Sequence, residues 1–159
     1  ERVRPEVLVL KGDAVQREHL YAAADYGGIR ELQLHFCRRV SEGDLRTFSA
    51  YLAEIYAARR RKDHDGAKNS TQLSKVEILA RQIVSRGVLE AFFDQIPTVH
   101  QVSCLIEPEP RFGFGFQSST VSTKRLLTGT RGEHGQALFV LEKLGKCNPT
   151  SIRMQPLFV

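Results

Sequence analysis

The sequence predicts an α+β domain, a largely antiparallel sheet with two central helices packed on one face. Three observations carry that expectation. Short aliphatic runs bounded by turn residues open the chain and fill its second half. Two stretches with helical spacing occupy the middle. Hydrophobic residues make up 42% and charged residues 26% of 159 positions, a composition that folds rather than stays disordered.

Taken in order, residues 6–10 read as a short strand closed by Lys11-Gly12-Asp13. Residues 14–25 are ambiguous, with Ala22-Ala23-Ala24 favouring helix and Gly27-Gly28 ending it. Residues 31–40 alternate, with Leu32, Leu34, Phe36 and Val40 pointing one way. Ser41 and Asp44 have the spacing of a helix cap with an acid three residues on. The helix that follows carries Leu45, Phe48, Leu52, Ile55 and Tyr56 on one stripe and ends in Arg59-Arg60-Arg61-Lys62, where cations suit the dipole.

Residues 63–69 form a polar, Gly-containing loop expected to be mobile. A second helix is expected from Ser70-Thr71 onward, with Leu73, Val76, Leu79, Ile83 and Val84 inward, ended or bent at Gly87, and continued over 88–96 until Pro97 stops it. Residues 99–106 and 111–116 suggest a hairpin around Glu107-Pro108-Glu109-Pro110, and residues 121–127 a further strand. The run 136–144 fits helix or strand. Residues 151–159 read as a last strand, with Pro156 placing it at a sheet edge. All of this fits one domain spanning 1–159. The chain starts at Glu1 rather than Met, so it can be an excerpt of a longer one.

No stretch approaches the ~20 apolar residues of a membrane span. Cys37, Cys104 and Cys147 are odd in number and far apart, which fits neither a disulfide framework nor a zinc motif. A reducing compartment, cytoplasm or nucleus, is the default. His19, His35, His64, His100 and His134 show no paired-ligand spacing, and no nucleophile motif occurs. The sequence therefore implies no metal, no cofactor and no catalytic residue, and it leans against an enzyme. An enzyme whose site is assembled from dispersed residues stays open as a third reading.

The net charge is +5, which favours polyanionic partners. The candidate contact residues are Arg59, Arg60, Arg61, Lys62 and Lys68 near the first helix end, with Lys124, Arg125 and Arg131 in the second half. Guanidinium groups pair bidentately with phosphate and stack on bases. The plain alternative is a helix terminus kept soluble by charge.

Phe112, Phe114 and Phe116 alternate on one face and join the candidate list. Gly113-Phe114-Gly115-Phe116 resembles the aromatic strand of RNA-recognition-motif domains over about six residues, although Phe112 stands where a basic residue belongs. Three core phenylalanines on a strand account for it more simply. Gly129-Thr130-Arg131-Gly132 has the form of the GxxG loop of KH domains, which needs helices on both sides. Gly12-Asp13-Ala14-Val15 resembles a segment of the ribonuclease III family, but only Asp13 carries over and the partner acids are missing.

The first functional reading is thus a non-catalytic nucleic-acid-binding domain, RNA ahead of DNA. The second is a protein–protein interaction or assembly module, a subunit of a larger complex or viral structural protein, with a homo-oligomer among its forms.

Overall fold

The computed structural model describes residues 6–62, 71–81, 84–107, 124–144 and 153–157. Among the described residues the elements run β1 (Val7–Lys11), α1 (Arg17–Tyr26), β2 (Glu31–His35), α2 (Glu42–Lys62), β3 (Lys75–Ala80), α3 (Arg86–Gln95), β4 (Gln101–Ile106), β5 (Lys124–Arg131), β6 (Ala137–Leu144) and β7 (Arg153–Leu157).

The seven described strands lie side by side in chain order. From β1 to β4 every pairing is parallel, and from β4 to β7 every pairing is antiparallel. The expected largely antiparallel sheet is therefore corrected to a mixed one, and the two expected helices to three. Parallel neighbours need a long crossover between them, which α1, α2 and α3 supply. Strand alternation within one chain segment does not encode the direction of its partner, so the parallel half was not visible in it.

The largest local correction falls on residues 73–96. The spacing of Leu73, Val76 and Leu79 suits a helix, yet this stretch is strand β3 followed by the separate helix α3. In β3, Val76 and Ile78 are buried while Lys75 and Glu77 on the opposite face are half-exposed. A short apolar run with period two and period three both satisfied is decided by its neighbours, and here β2 and β4 flank it.

Other elements follow directly from local chemistry. The Ser41 hydroxyl accepts from Asp44 N–H at 3.0 Å, and Asp44 Oδ2 accepts from Ser41 N–H at 3.0 Å, a reciprocal cap that starts α2. Gly27 ends α1 in the left-handed region at φ 73°. Strand β2 stops at His35 because Phe36 itself adopts φ 54°, held there as its N–H donates to Leu79 O at 2.8 Å. The undecided run at 136–144 is strand β6, and β7 with Pro156 takes the sheet edge.

Leu32, Leu34, Val76, Ile78, Val102, Cys104, Leu127 and Phe139 join inward side chains of the three helices in one core. Edge-on ring pairs tie the layers together. Phe48 of α2 meets Phe92 of α3 at 6.4 Å between centroids, and Phe93 of α3 meets Phe139 of β6 at 6.1 Å. Among the described residues no helix is long and apolar enough to cross a membrane.

Cys104 sits wholly inside this core, and burial pushes its thiol up to about 11. Relative to a thiol near 9.0, that shift leaves about one hundredth of the thiolate at pH 8. Peptide-resolved alkylation of the native protein should leave Cys104 unmodified until denaturant is added. Prompt labelling at pH 8 would mean that α3 opens readily.

Candidate nucleic-acid interface

The described basic residues singled out by sequence fall at opposite ends of the strands. Arg59 to Lys62 close α2, which ends where the parallel strands begin. Arg131 closes β5 at that same end, whereas Lys124 and Arg125 open β5 at the other. Six residues of extended chain separate Arg131 from Arg125 by about 20 Å.

Two of these arginines are engaged inside the fold. The Arg59 guanidinium donates to Gly27 O at 3.2 Å and to Asp25 O at 3.3 Å, at the C-terminal end of α1. Arg131 does the same for α3 with more bonds. Its Nη2 donates to Phe93 O at 2.8 Å and Ile96 O at 3.2 Å, its Nε to Val99 O at 2.9 Å and its Nη1 to Gly135 O at 3.2 Å. The guanidinium also lies 5.4 Å from the Phe93 ring centre. A cation at a helix C-terminus satisfies carbonyls that the helix leaves unpaired and complements its dipole.

Around them, Arg60, Arg61 and Lys62 are exposed. Arg61 Nε reaches only Ala57 O of its own helix, at 3.4 Å. Among the described residues no carboxylate pairs with any of the three.

The Gly129-Thr130-Arg131 segment is strand, paired with β6 through Phe139, Leu138 and Ala137. That corrects the reading of a GxxG loop between helices. Gly129 is required by packing instead, because a Cβ there would stand 2.6 Å from Phe139 Cε1.

At the opposite end of the strands Lys124 Nζ pairs with Glu107 Oε1 at 2.8 Å, which holds the Glu107 carboxyl below its ordinary range. Arg81 lies 4.4 Å from the Phe36 ring centre and donates to Glu107 O at 3.4 Å. Arg86 stacks 4.6 Å from the Phe139 ring centre, with its Nε 2.7 Å from Glu90 Oε1 but off the N–H axis. Sequence reading missed Arg81, Arg86 and Lys143. Their one signal, a cation at the end of a strand or start of a helix, gains meaning only once strand partners are known.

Lys68, Phe112, Phe114, Phe116, Cys147 and the loop at 63–69 lie outside the described residues. Among the described residues no group of three or more His, Cys, Asp or Glu is placed to hold a metal ion. An apolar pocket lies among Ala23, Gly27, Leu32, Phe48, Leu52 and Tyr56. The Tyr56 hydroxyl accepts there from Leu73 N–H at 2.9 Å, and burial raises its pKa. No family model, no curated protein and no solved structure matches this chain.

Proposed function

We propose that the protein is a non-catalytic nucleic-acid-binding domain, RNA ahead of DNA, that contacts phosphates through the end of α2. The observation that supports it most is the exposed run Arg60, Arg61 and Lys62, which has no acidic partner among the described residues. Arg59, also in that run, has a structural task as the cap of α1. Three adjacent exposed cations with no carboxylate partner among the described residues suit a polyanion, whose binding releases counterions.

Fluorescence anisotropy of labelled single-stranded and duplex RNA and DNA at two salt concentrations tests this reading. Binding should weaken steeply with salt, and the double variant Arg60→Glu, Arg61→Glu should lose at least tenfold in affinity. Its melting temperature should fall only by the few degrees that reversing two charges at a helix C-terminus costs, about 1–2 kcal/mol in all. Flat anisotropy at low salt would overturn the reading.

A second reading, a protein-interaction module, is favoured by strand β1. It forms one edge of the sheet and exposes Val7 at 47% and Val9 at 40%. Edge strands with exposed apolar residues pair readily with another chain. Concentration-dependent association that ignores moderate salt would support that reading over the first.

A further inference from the structure

The chain has four tyrosines, and three of them pack within the fold. Tyr56 is buried in the core, and Tyr21 meets Tyr51 edge-on with 5.0 Å between ring centres. The fourth, Tyr26, is the last residue of α1 and is 55% exposed. The other large apolar side chains exposed among the described residues, Val7, Val9 and Leu138, are all aliphatic. A tyrosine ring offers a flat face to a partner and has little side-chain entropy to lose.

Local chemistry fixes where that ring sits. Gly27 follows it in the left-handed region at φ 73° and turns the chain off the helix. The Arg59 guanidinium spans this turn, donating to Asp25 O and Gly27 O, the carbonyls on either side of Tyr26. A Cβ at Gly27 would run into that guanidinium, so the glycine also makes room for it. Gly28 lies beside the ring, since a Cβ built there would stand 3.3 Å from Tyr26 Cε1. Bare backbone thus supports one side of the ring, and more than half of the residue faces solvent. The Asp25 carboxylate is engaged with α2, its Oδ1 accepting from Tyr51 O–H at 2.7 Å.

Arg59 belongs to α2, so the same clamp ties Tyr26 to the exposed cations that end that helix. Lys62 lies three residues beyond Arg59 and shares its side of α2, about one turn on. Arg60 and Arg61 carry the exposed run around the helix. An aromatic ring beside several cations is what a single-stranded nucleic acid needs: the ring takes a base and the cations take phosphates. A duplex hides its base faces within its own stack, so such a ring selects unpaired strands.

We propose that Tyr26 stacks on a base of a single-stranded RNA or DNA whose neighbouring phosphates lie on Arg60, Arg61 and Lys62. The proposal rests on the nucleic-acid reading above and narrows it to unpaired strands. The contact does not discriminate between bases, because every base has a π-face.

The test uses anisotropy titrations across a salt series with a labelled oligoadenylate and with a duplex RNA of the same length. Tyr26→Ala should bind oligoadenylate about tenfold more weakly, with the slope of log affinity against log salt unchanged, because the ring neutralises no phosphate. Its affinity for the duplex should stay at the parent's. Arg60→Glu/Arg61→Glu should instead lose both affinity and slope on both probes. Tyr26→Trp should keep the parent's affinity. The chain has no tryptophan, so the indole in that variant reports on this position alone. Oligoadenylate should quench its emission, and the duplex should leave it unchanged.

Parent-like binding of oligoadenylate by Tyr26→Ala, beside a loss in the Arg60→Glu/Arg61→Glu protein, would overturn the stacking contact and leave the α2 surface standing. Equal losses on oligoadenylate and duplex would make Tyr26 a support of the fold, which overturns the proposal. Unquenched Tyr26→Trp emission at saturating oligoadenylate would overturn it as well. A parent that binds neither probe would overturn both the contact and the reading it rests on.

Discussion

Replacing Arg131 with Met should cost the fold about 2–4 kcal/mol and leave nucleic-acid affinity unchanged. The side chain donates to four carbonyls, those of Phe93, Ile96, Val99 and Gly135. Hydrogen bonds that involve a charged group contribute roughly 1.5–3 kcal/mol each when well shielded. Arg131 is half-buried, and water can reach some of the freed carbonyls, so the total falls well short of four full bonds. Urea denaturation reads the loss directly. Lys at this position should recover little, because an ammonium cannot fork between carbonyls as a planar guanidinium does. An Arg131→Met protein with parent stability and weakened binding would instead make Arg131 a phosphate contact.

The second large effect is expected at Gly129. A Cβ built there stands 2.6 Å from Phe139 Cε1, 3.0 Å from Phe139 Cδ1 and 3.0 Å from Phe93 Cε2. Both rings are buried and packed edge-to-face, so neither yields without opening the contact between α3 and the sheet. Overpacking of this kind costs about 1–3 kcal/mol, occasionally more. Strand propensity works the other way, since Val suits a strand better than Gly, but that scale spans only ~1 kcal/mol. The clash wins. Gly129→Ala should lose about 2 kcal/mol in a denaturant titration and Gly129→Val more. Adding Phe139→Leu, which removes the ring that is struck, should return part of the loss in Gly129→Ala. Unchanged stability in Gly129→Ala would show that the two rings shift at little cost.

Local features of this fold were legible because they are settled within a few residues. The Ser41–Asp44 cap, the stripe of Leu45, Phe48, Leu52 and Tyr56, the glycine stop of α1 and the alternation of Leu32 and Leu34 all belong to that class. Strand direction was not legible. Val76 and Ile78 look the same in an isolated run whether their neighbours run with them or against them, and Leu73, Val76 and Leu79 imitate a helical face.

The candidate site divides along the same line. A run of four cations at 59–62 is plain in the sequence, but the capping of Gly27 O by Arg59 joins residues 32 positions apart. The bond from Arg131 to Phe93 O spans 38 positions. Charge can be counted along a chain, whereas carbonyls left open at helix ends become visible only in three dimensions. The same holds for Arg125 and Lys143, which become neighbours only through the β5–β6 register.

Chain order and spatial order coincide across the described strands β1 to β7. Each strand that leaves the ribosome therefore meets its template already in place, and none must wait for a later segment to be inserted beside it. Synthesis supplies residues at roughly 5–20 per second, far slower than a helix or hairpin forms. The described strands can thus be added from β1 towards β7 at the pace of translation. Strand β7, the last of the described strands, carries Pro156, a residue with no N–H to donate to a chain laid beside it.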